Sequence, residues 1–201
     1  AKARTRRGER AGAPLYEVCE FRPHVDEATR ARLEEALERS GLLDAWIAPD
    51  GSVGVLEADE EEAWIQPEPR VMGYTLSDVL TPVPSSESGL TAETIDEVLR
   101  TFFWEQSTEA DLSAPAFAEA AVAVVDAGGG YRFGPLIGKT AGKTRAEYIG
   151  AETRRRTRQL TIERLKAEIA AYAKMISQWD AELEALKAEE AMLRQELLHF
   201  P

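Results

Sequence analysis

Residues 160–198 have the sequence LTIERLKAEIAAYAKMISQWDAELEALKAEEAMLRQELL. Apolar residues recur there at alternating intervals of three and four, with one miss where Glu190 takes the expected position. This spacing is a heptad pattern, more sustained than the apolar stripe of an ordinary surface helix. We call its apolar members the seam: Ile162, Leu165, Ile169, Tyr172, Ile176, Trp179, Leu183, Leu186, Leu193 and Leu197.

No Gly or Pro interrupts the chain from Ala151 to Phe200, so the sequence predicts one continuous helix of roughly 70 Å. Residues outside the seam are mostly Glu, Lys, Arg, Gln and Ala, which are strong helix formers suited to a solvated face. A core helix of a globular domain is the alternative, but helices this long rarely pack fully on one domain. We therefore predict a coiled-coil arm over residues 151–201.

A coiled-coil arm needs a partner helix, and the sequence shows no second heptad segment. Residues 1–13 are Arg-rich and contain Gly8 and Gly12, and we interpret them as the remnant of an incoming helical arm. The seam is expected to pair with another copy, with a separate protein, or with a helix missing from this chain. Because the chain begins without Met inside a charged segment, we expect it to be a fragment of a longer protein.

Charge is distributed unevenly along the 201 residues, whose formal net charge is −12. Between Asp44 and Asp111 there are sixteen acidic residues against only Arg70 and Arg100. Ten basic residues lie between Arg132 and Lys166. The net charge argues against a surface devoted to nucleic acid, but a basic collar is predicted where the globular part meets the arm. Its candidate DNA contacts are Lys139, Lys143, Arg145, Arg154, Arg155, Arg156 and Arg158.

Cysteine content and hydropathy indicate the compartment. Cys19 is the only cysteine, so an internal disulfide is impossible, which fits a reducing cytosol. The sequence has no signal peptide and no apolar run of membrane-spanning length. We predict a cytoplasmic protein without a membrane partner.

Residues 14–150 are long enough to bury a core and predict an α/β (α+β) globular domain with β-hairpins and helices. Asp26 is a helix N-cap and Gly41 a left-handed stop, so a helix should bury Leu33, Ala36 and Leu37. A second helix, capped by Thr91, should bury Ile95, Val98, Leu99 and Phe102, with Phe103 and Trp104 extending that face. Strands are predicted over 15–21, 45–48, 53–56, 120–125 and 131–137, a short apolar element over 76–80, and a loop or hinge over 82–89.

Two Gly-Lys-Thr triplets, at 138–140 and 142–144, suggest a phosphate-binding loop. That motif needs four residues between its first Gly and the Gly-Lys pair, and here only three intervene. We interpret the glycines instead as residues that permit tight turns or close backbone contact at a dimer interface. The interface candidates are Gly128, Gly129, Gly130, Gly134 and Gly138.

Catalytic and metal-binding patterns are not evident in the sequence. His24 and His199 lie far apart, the acidic run Asp59–Glu62 lacks a calcium-loop pattern, and no nucleophile elbow or paired-Cys spacing occurs. We predict no catalytic residue, no cofactor and no metal for this chain.

Several strings resemble the hinge region of the SMC-like subunit of Wadjet-type, MukB-like bacterial condensins (the JetC family). They are Phe21-Arg-Pro, Leu33-Glu-Glu-Ala-Leu37, Gly41-Leu-Leu-Asp-Ala-Trp46, Pro49-Asp-Gly51, Gly134-Pro-Leu136 and Ala146-Glu-Tyr-Ile-Gly150 before an Arg-rich helix start. The resemblance covers roughly residues 15–60 and 130–165, and it covers the acidic middle poorly.

The resemblance implies a homodimerising hinge between two coiled-coil arms. It also implies ATPase head segments outside this chain, other condensin-like subunits, and a nucleoid-associated complex that acts on chromosomal or plasmid DNA in plasmid defence. An alternative of another class is a coiled-coil scaffold or adaptor whose acidic head, residues 44–111, binds another protein. A third hypothesis is an enzyme with a cryptic site built from dispersed carboxylates.

Overall fold

The computed structural model describes residues 11–51, 63–115, 117, 123–140 and 142–199. Contacts divide the chain into two compact units, residues 1–155 and 156–201. The predicted fold class is confirmed, because short strands and helices are followed by one long C-terminal helix. Most of the predicted remnant 1–13, the strand over 53–56 and the acidic run Asp59–Glu62 lie outside the described residues.

Short strands form three sheets in the described part of the first unit. Two of the sheets are antiparallel pairs, β1 with β3 and β2 with β4. The third has the order β5-β6-β7-β8, in which β5 and β6 are parallel and the other pairs antiparallel. The strands are β1 (Ala13–Pro14), β2 (Cys19–Phe21), β3 (Trp46–Ile47), β4 (Leu80–Pro82), β5 (Phe103–Glu105), β6 (Ala123–Asp126), β7 (Gly130–Phe133) and β8 (Leu136–Lys139).

Helix α1 (Glu27–Arg39) begins and ends as predicted. The Asp26 side chain accepts a hydrogen bond from Thr29 N at 3.0 Å, and Gly41 adopts φ +83° just beyond the helix. Leu33, Ala36 and Leu37 are fully buried in the main core. Glu34 and Glu35 of the same helix are buried as well, which the apolar spacing alone did not predict.

Helix α2 (Ala92–Thr101) is capped by Thr91 and buries Ile95, Val98 and Leu99, as predicted. Its continuation is not helical. Phe103 and Trp104 lie in β5, so the prediction that they extend the helix face is wrong. The chain leaves the helix at Phe102, whose ψ of 125° is extended, and pairing with β6 then holds β5 in place.

Two predicted strands are also corrected. The segment 15–21 is interrupted by a 3-10 turn at Leu15–Glu17, and only Cys19–Phe21 pairs as a strand. The segment 131–137 is two strands rather than one, because the chain reverses at Gly134 and Pro135. Gly134 has φ +57°, which suits the first position of a tight two-residue hairpin turn.

The loop over residues 83–90 belongs to the first unit. Val83 N donates to Val18 O at 2.8 Å, and Gly12 N donates to Ser88 O at 2.8 Å. The segment is therefore a loop inside one domain, as one of the two interpretations predicted. It is not a hinge between two lobes.

Helix α3 spans Ala151–Leu198, 48 residues, which confirms the predicted continuous helix. Its length is about 72 Å at 1.5 Å per residue. The division between the two units falls inside it, at Arg155 and Arg156. No helix among the described residues is both long and apolar enough to cross a membrane.

Candidate functional site

The neck, residues 142–150, connects β8 to α3 and is bound by a buried carboxylate of α1. Glu34 is fully buried. Its two oxygens accept backbone hydrogen bonds from Glu147 N, Tyr148 N and Ile149 N at 2.7, 2.9 and 2.8 Å. Peptide N–H groups that converge on one carboxylate satisfy a buried charge and hold the backbone that carries them.

Lys143 completes this network. Its Nζ lies 2.6 Å from Glu34 Oε1, 3.2 Å from Glu38 Oε2 and 3.7 Å from Glu147 Oε2. The ammonium also stands 4.5 Å from the centroid of the Tyr148 ring. The Lys143 ammonium is already paired with three carboxylates, so it is poorly placed to contact a phosphate group of DNA.

Glu35 holds the start of the neck. One of its oxygens accepts hydrogen bonds from Gly142 N at 3.2 Å and Lys143 N at 2.9 Å, and the other pairs with Arg39 at 3.1 Å. Burial by itself raises the pKa of Glu35, but the two backbone donors and Arg39 outweigh it, and the pKa lies below its ordinary value of 4.5. The pKa of Lys143 lies above its ordinary value of 10.5, because the bonds to Glu34 and Glu38 outweigh burial, which lowers it.

These shifts predict how the stability of the neck depends on pH. A carboxyl with a lowered pKa in the folded state stabilises the fold above its unfolded pKa, and the contribution is lost as pH falls through the folded pKa. We expect the free energy of unfolding to fall as pH drops below the ordinary glutamate pKa of 4.5. In Glu35→Gln that decline should be smaller, as measured by urea unfolding at each pH. An identical decline in both proteins would contradict this role for Glu35.

The first turn of α3 is fixed to β2 and to the turn that precedes it. Ala151 N donates to Glu20 Oε1 at 3.2 Å. One guanidinium nitrogen of Arg154 donates to Tyr16 O at 2.8 Å and Tyr148 O at 2.9 Å. Arg154 therefore binds backbone carbonyls within the first unit, which explains a basic residue near a helix N-terminus.

The remaining candidates of the collar are accessible. Lys139, Arg145, Arg155, Arg156 and Arg158 are exposed. Arg155 pairs with Glu152 at 3.0 Å, and both side chains are well exposed. Lys139 and Arg145 belong to the first unit, and Arg156 and Arg158 belong to the second.

For most of the candidate interface glycines, packing within the first unit explains why the residue has no side chain. A Cβ at Gly128 would meet Thr108 O, one at Gly130 the Asp126 carboxylate, and one at Gly138 the Tyr131 ring. Gly129 has φ +88° and lies against Thr140. A Cβ at Gly134 would meet nothing within 4 Å, so this turn glycine leaves open space beside β8.

Strand β8 is the outer strand of the four-stranded sheet. The opposite edge, β5, is covered because Trp104 N donates to Tyr74 O at 2.9 Å and Leu76 N donates to Phe102 O at 3.0 Å. No strand of the described residues pairs with the far side of β8. Leu136 and Ile137 are 52% and 46% exposed on it. Exposed apolar strand edges are typical places for strand addition.

The seam is uncovered in the second unit. All of its ten residues are between 45% and 76% exposed, and every residue from Thr161 to His199 is classed as exposed. Contiguous apolar surfaces of this length are typical of interaction sites.

The described residues show no metal centre and no reactive thiol. They contain no group of three or more His, Cys, Asp or Glu that could hold a metal ion. Cys19 is buried and its Sγ donates to Leu15 O at 3.0 Å. Burial raises the pKa of the Cys19 thiol to about 12, so it stays protonated and unreactive.

Sequence reasoning missed Glu34 and Glu35, although one signal for Glu34 was present. Glu34 lies three residues after Ala31 and three before Leu37, so it falls on the buried stripe of α1. A carboxylate in such a position requires donors from elsewhere in the fold. The donors in the neck, more than a hundred residues away in sequence, could not be identified from spacing.

Comparisons with known proteins find structural similarities to SMC hinge domains, among them two to structures from Pyrococcus furiosus. One is to the crystal structure of the Pyrococcus furiosus SMC protein hinge domain, with 16% identity over 72% of this chain and 79% of that chain, and a TM-score of 0.40. The other is to the Pyrococcus furiosus Smc hinge domain with an extended coiled coil, with 18% identity over 96% and 70% and a TM-score of 0.43. No protein-family model and no curated protein matches the chain.

Proposed function

We propose that this chain is the dimerisation hinge of an SMC-like protein, in which the first unit pairs two copies and α3 is a coiled-coil arm. The observation that carries this proposal is the apolar outer edge of β8, in a chain whose long C-terminal helix bears an uncovered heptad seam. The resemblance of the strings at residues 21–51 and 134–150 supports the narrower assignment. The parent protein would then be a MukB-like (JetC) subunit of a Wadjet-type complex.

The geometry of β8 favours a twofold pairing. Two copies of one strand can pair antiparallel across a twofold axis, so that each edge satisfies the other. Leu136 and Ile137 would be covered in that arrangement, and Gly134 at the end of the strand leaves room for a close approach. Among the glycine candidates, Gly134 therefore remains the strongest as an interface residue.

One substitution tests the edge. Ile137→Lys places a charge on the outer strand, which opposes edge pairing, while the exposed site leaves the fold intact. We expect the wild-type chain to scatter light as a dimer and Ile137→Lys as a monomer with an unchanged circular dichroism spectrum.

The matched control is Val71→Lys, at an apolar side chain 90% exposed in a loop away from β8. This variant should remain a dimer. A wild-type monomer, a dimeric Ile137→Lys or a monomeric Val71→Lys would each refute pairing through β8.

We also propose that the exposed part of the collar contacts DNA through phosphate. After Lys143 and Arg154 are set aside, the candidates are Lys139, Arg145, Arg155, Arg156 and Arg158. Contacts of this kind are salt-sensitive and do not read base sequence. The competing interpretation is that these side chains only solvate the protein surface.

Charge reversal separates the two interpretations. Arg156→Glu with Arg158→Glu should reduce the affinity for a labelled duplex at low salt by about tenfold or more, since two phosphate contacts become repulsions. Lys174→Glu with Lys187→Glu, farther along the same helix, is the control with the same change in net charge. Equal losses in both double variants would mean that only net charge matters and would exclude a collar site.

The alternative function, an adaptor whose head binds another protein, is favoured by one observation. The loop at residues 71–74 exposes Val71, Met72 and Tyr74 at 90%, 83% and 58%. Its base is fixed, because Arg70 N donates to Arg100 O and an Arg100 guanidinium nitrogen donates to Arg70 O, both at 3.0 Å. If this loop is the working surface, Met72→Asp should abolish partner binding without changing the dimer.

A further inference from the structure

We infer that the seam of α3 is covered by a helix that differs from α3, with a basic row that faces the glutamates beside the seam and an acidic row on its other flank. This inference rests on the proposed coiled-coil arm and specifies the chemistry of its partner.

The two rows differ in charge. In a heptad helix, the positions that flank the apolar seam face the partner and set its identity and orientation. On one side the positions are mostly acidic, and we call them the acidic row: Glu168, Met175, Glu182, Glu189 and Glu196. On the other side three of the five are basic, Ala173 is neutral and Asp180 is acidic, and we call them the basic row: Lys166, Ala173, Asp180, Lys187 and Arg194.

An antiparallel second copy does not fit these rows. When two heptad helices run antiparallel, equivalent flanks face each other, so the acidic row would meet the acidic row of the other copy. Apart from Met175, every member of that row is a glutamate, so most of the facing pairs would bring two glutamates together. Like charges that face each other across an interface oppose association.

A parallel second copy meets a different obstacle. The Ile residues at 162, 169 and 176 suit a parallel pair, and Glu182 and Glu189 would face Lys187 and Arg194 of the other copy. Each position within the seam would, however, face itself. Tyr172 and Trp179 would have to pack against their own equivalents, and Glu190 would meet a second Glu190 in the interface.

The contact between two Glu190 side chains is the main obstacle to a parallel pair of α3 helices. Glu190 Oε1 lies 2.7 Å from Arg194 Nη2 of the same helix, and both side chains are exposed. Two such carboxylates brought together and desolvated are unfavourable, whereas the exposed pairs gained at the flanks contribute little. A different helix avoids the conflict by placing a neutral polar or basic residue opposite Glu190 and small residues opposite the two aromatic side chains.

The test uses the full chain and two synthetic heptad peptides with the same composition. Both carry an Ile/Leu seam, Ala opposite Tyr172 and Trp179, and Asn opposite Glu190. The complementary peptide has Lys opposite the acidic row and Glu opposite the basic row, and the exchanged peptide has these rows swapped. Binding is followed by the anisotropy of a labelled peptide and by the tryptophan emission of the chain. Of its four tryptophans, Trp179 lies on the seam and is 59% exposed in the free chain.

We expect the complementary peptide to bind at least about tenfold more tightly than the exchanged one at low salt, with a smaller ratio at high salt. Glu189→Lys should reduce this preference. Glu163→Lys, on the outer face of the same helix, should leave it unchanged. Equal binding of the two peptides, binding of neither, or equal effects of the two substitutions would overturn the inference.

The mass of the same samples distinguishes this inference from the proposed hinge. A chain that stays dimeric but does not discriminate between the peptides would refute the partner chemistry alone. A monomeric chain that still selects the complementary peptide would refute pairing through the first unit and leave the partner chemistry standing.

Discussion

Replacing Glu34 with Gln is expected to lower the free energy of unfolding by about 3–5 kcal/mol, because it removes the buried charge that pairs with Lys143 and replaces one of the two accepting oxygens with an NH2 donor. Glu34 is fully buried, and it binds Lys143 at 2.6 Å as well as three backbone N–H groups of the neck. Urea unfolding followed by tryptophan fluorescence measures the change. Hydrogen exchange at Glu147, Tyr148 and Ile149 should accelerate in the same variant.

Glu38→Gln is the control for this change. Glu38 approaches the same ammonium at 3.2 Å, but its side chain is 37% exposed, so the loss should be at most about 1 kcal/mol. If both variants lose the same stability, the neck is not held by a buried charge, and the account of its attachment to α1 is wrong.

Replacing Ile149 with Ala is expected to cost about 2–5 kcal/mol, and replacing it with Val about 0.5–1.5 kcal/mol. Ile149 is fully buried in the main core, and it is the last apolar side chain before α3 begins at Ala151. The removed methyl groups leave a cavity that the surrounding core closes only partly. The same urea titration measures both variants.

Val71→Ala is the control for these core substitutions, because Val71 lies on the surface. Its side chain is 90% exposed, and surface substitutions of this type usually change stability by no more than about 0.5 kcal/mol. A loss at Ile149 as small as the loss at Val71 would show that the neck is not anchored in the core.

Local signals in the sequence predicted the elements that local chemistry determines. Asp26 and Gly41 mark the ends of α1, Thr91 marks the start of α2, and uninterrupted helix formers produce α3. In each case the determining residues lie within a few positions of the element. The two corrected aromatic residues, Phe103 and Trp104, depend instead on pairing with a strand about twenty residues away, which a helical period cannot reveal.

The candidate site was predictable only in part, for the same reason. The sequence identified the basic residues and the seam, but not which cations the fold uses internally. Lys143 and Arg154 look like their neighbours in sequence, yet Lys143 binds carboxylates of α1 and Arg154 binds the Tyr16 carbonyl just before β2. Those partners lie more than a hundred residues away. The open edge of β8 follows from the order of the strands in the sheet. The alternation of apolar and polar residues along one strand does not determine that order.

The central claim is that the first unit pairs two copies while the seam binds a different helix. Light scattering of the full chain and of a chain that ends at Leu160 tests it most directly, at matched concentrations. The account predicts twice the mass of one chain for both proteins, because β8 and its sheet are retained in the shorter one. A dimer in the full chain and a monomer in the shortened chain would show that α3 itself pairs the copies, and would contradict the account.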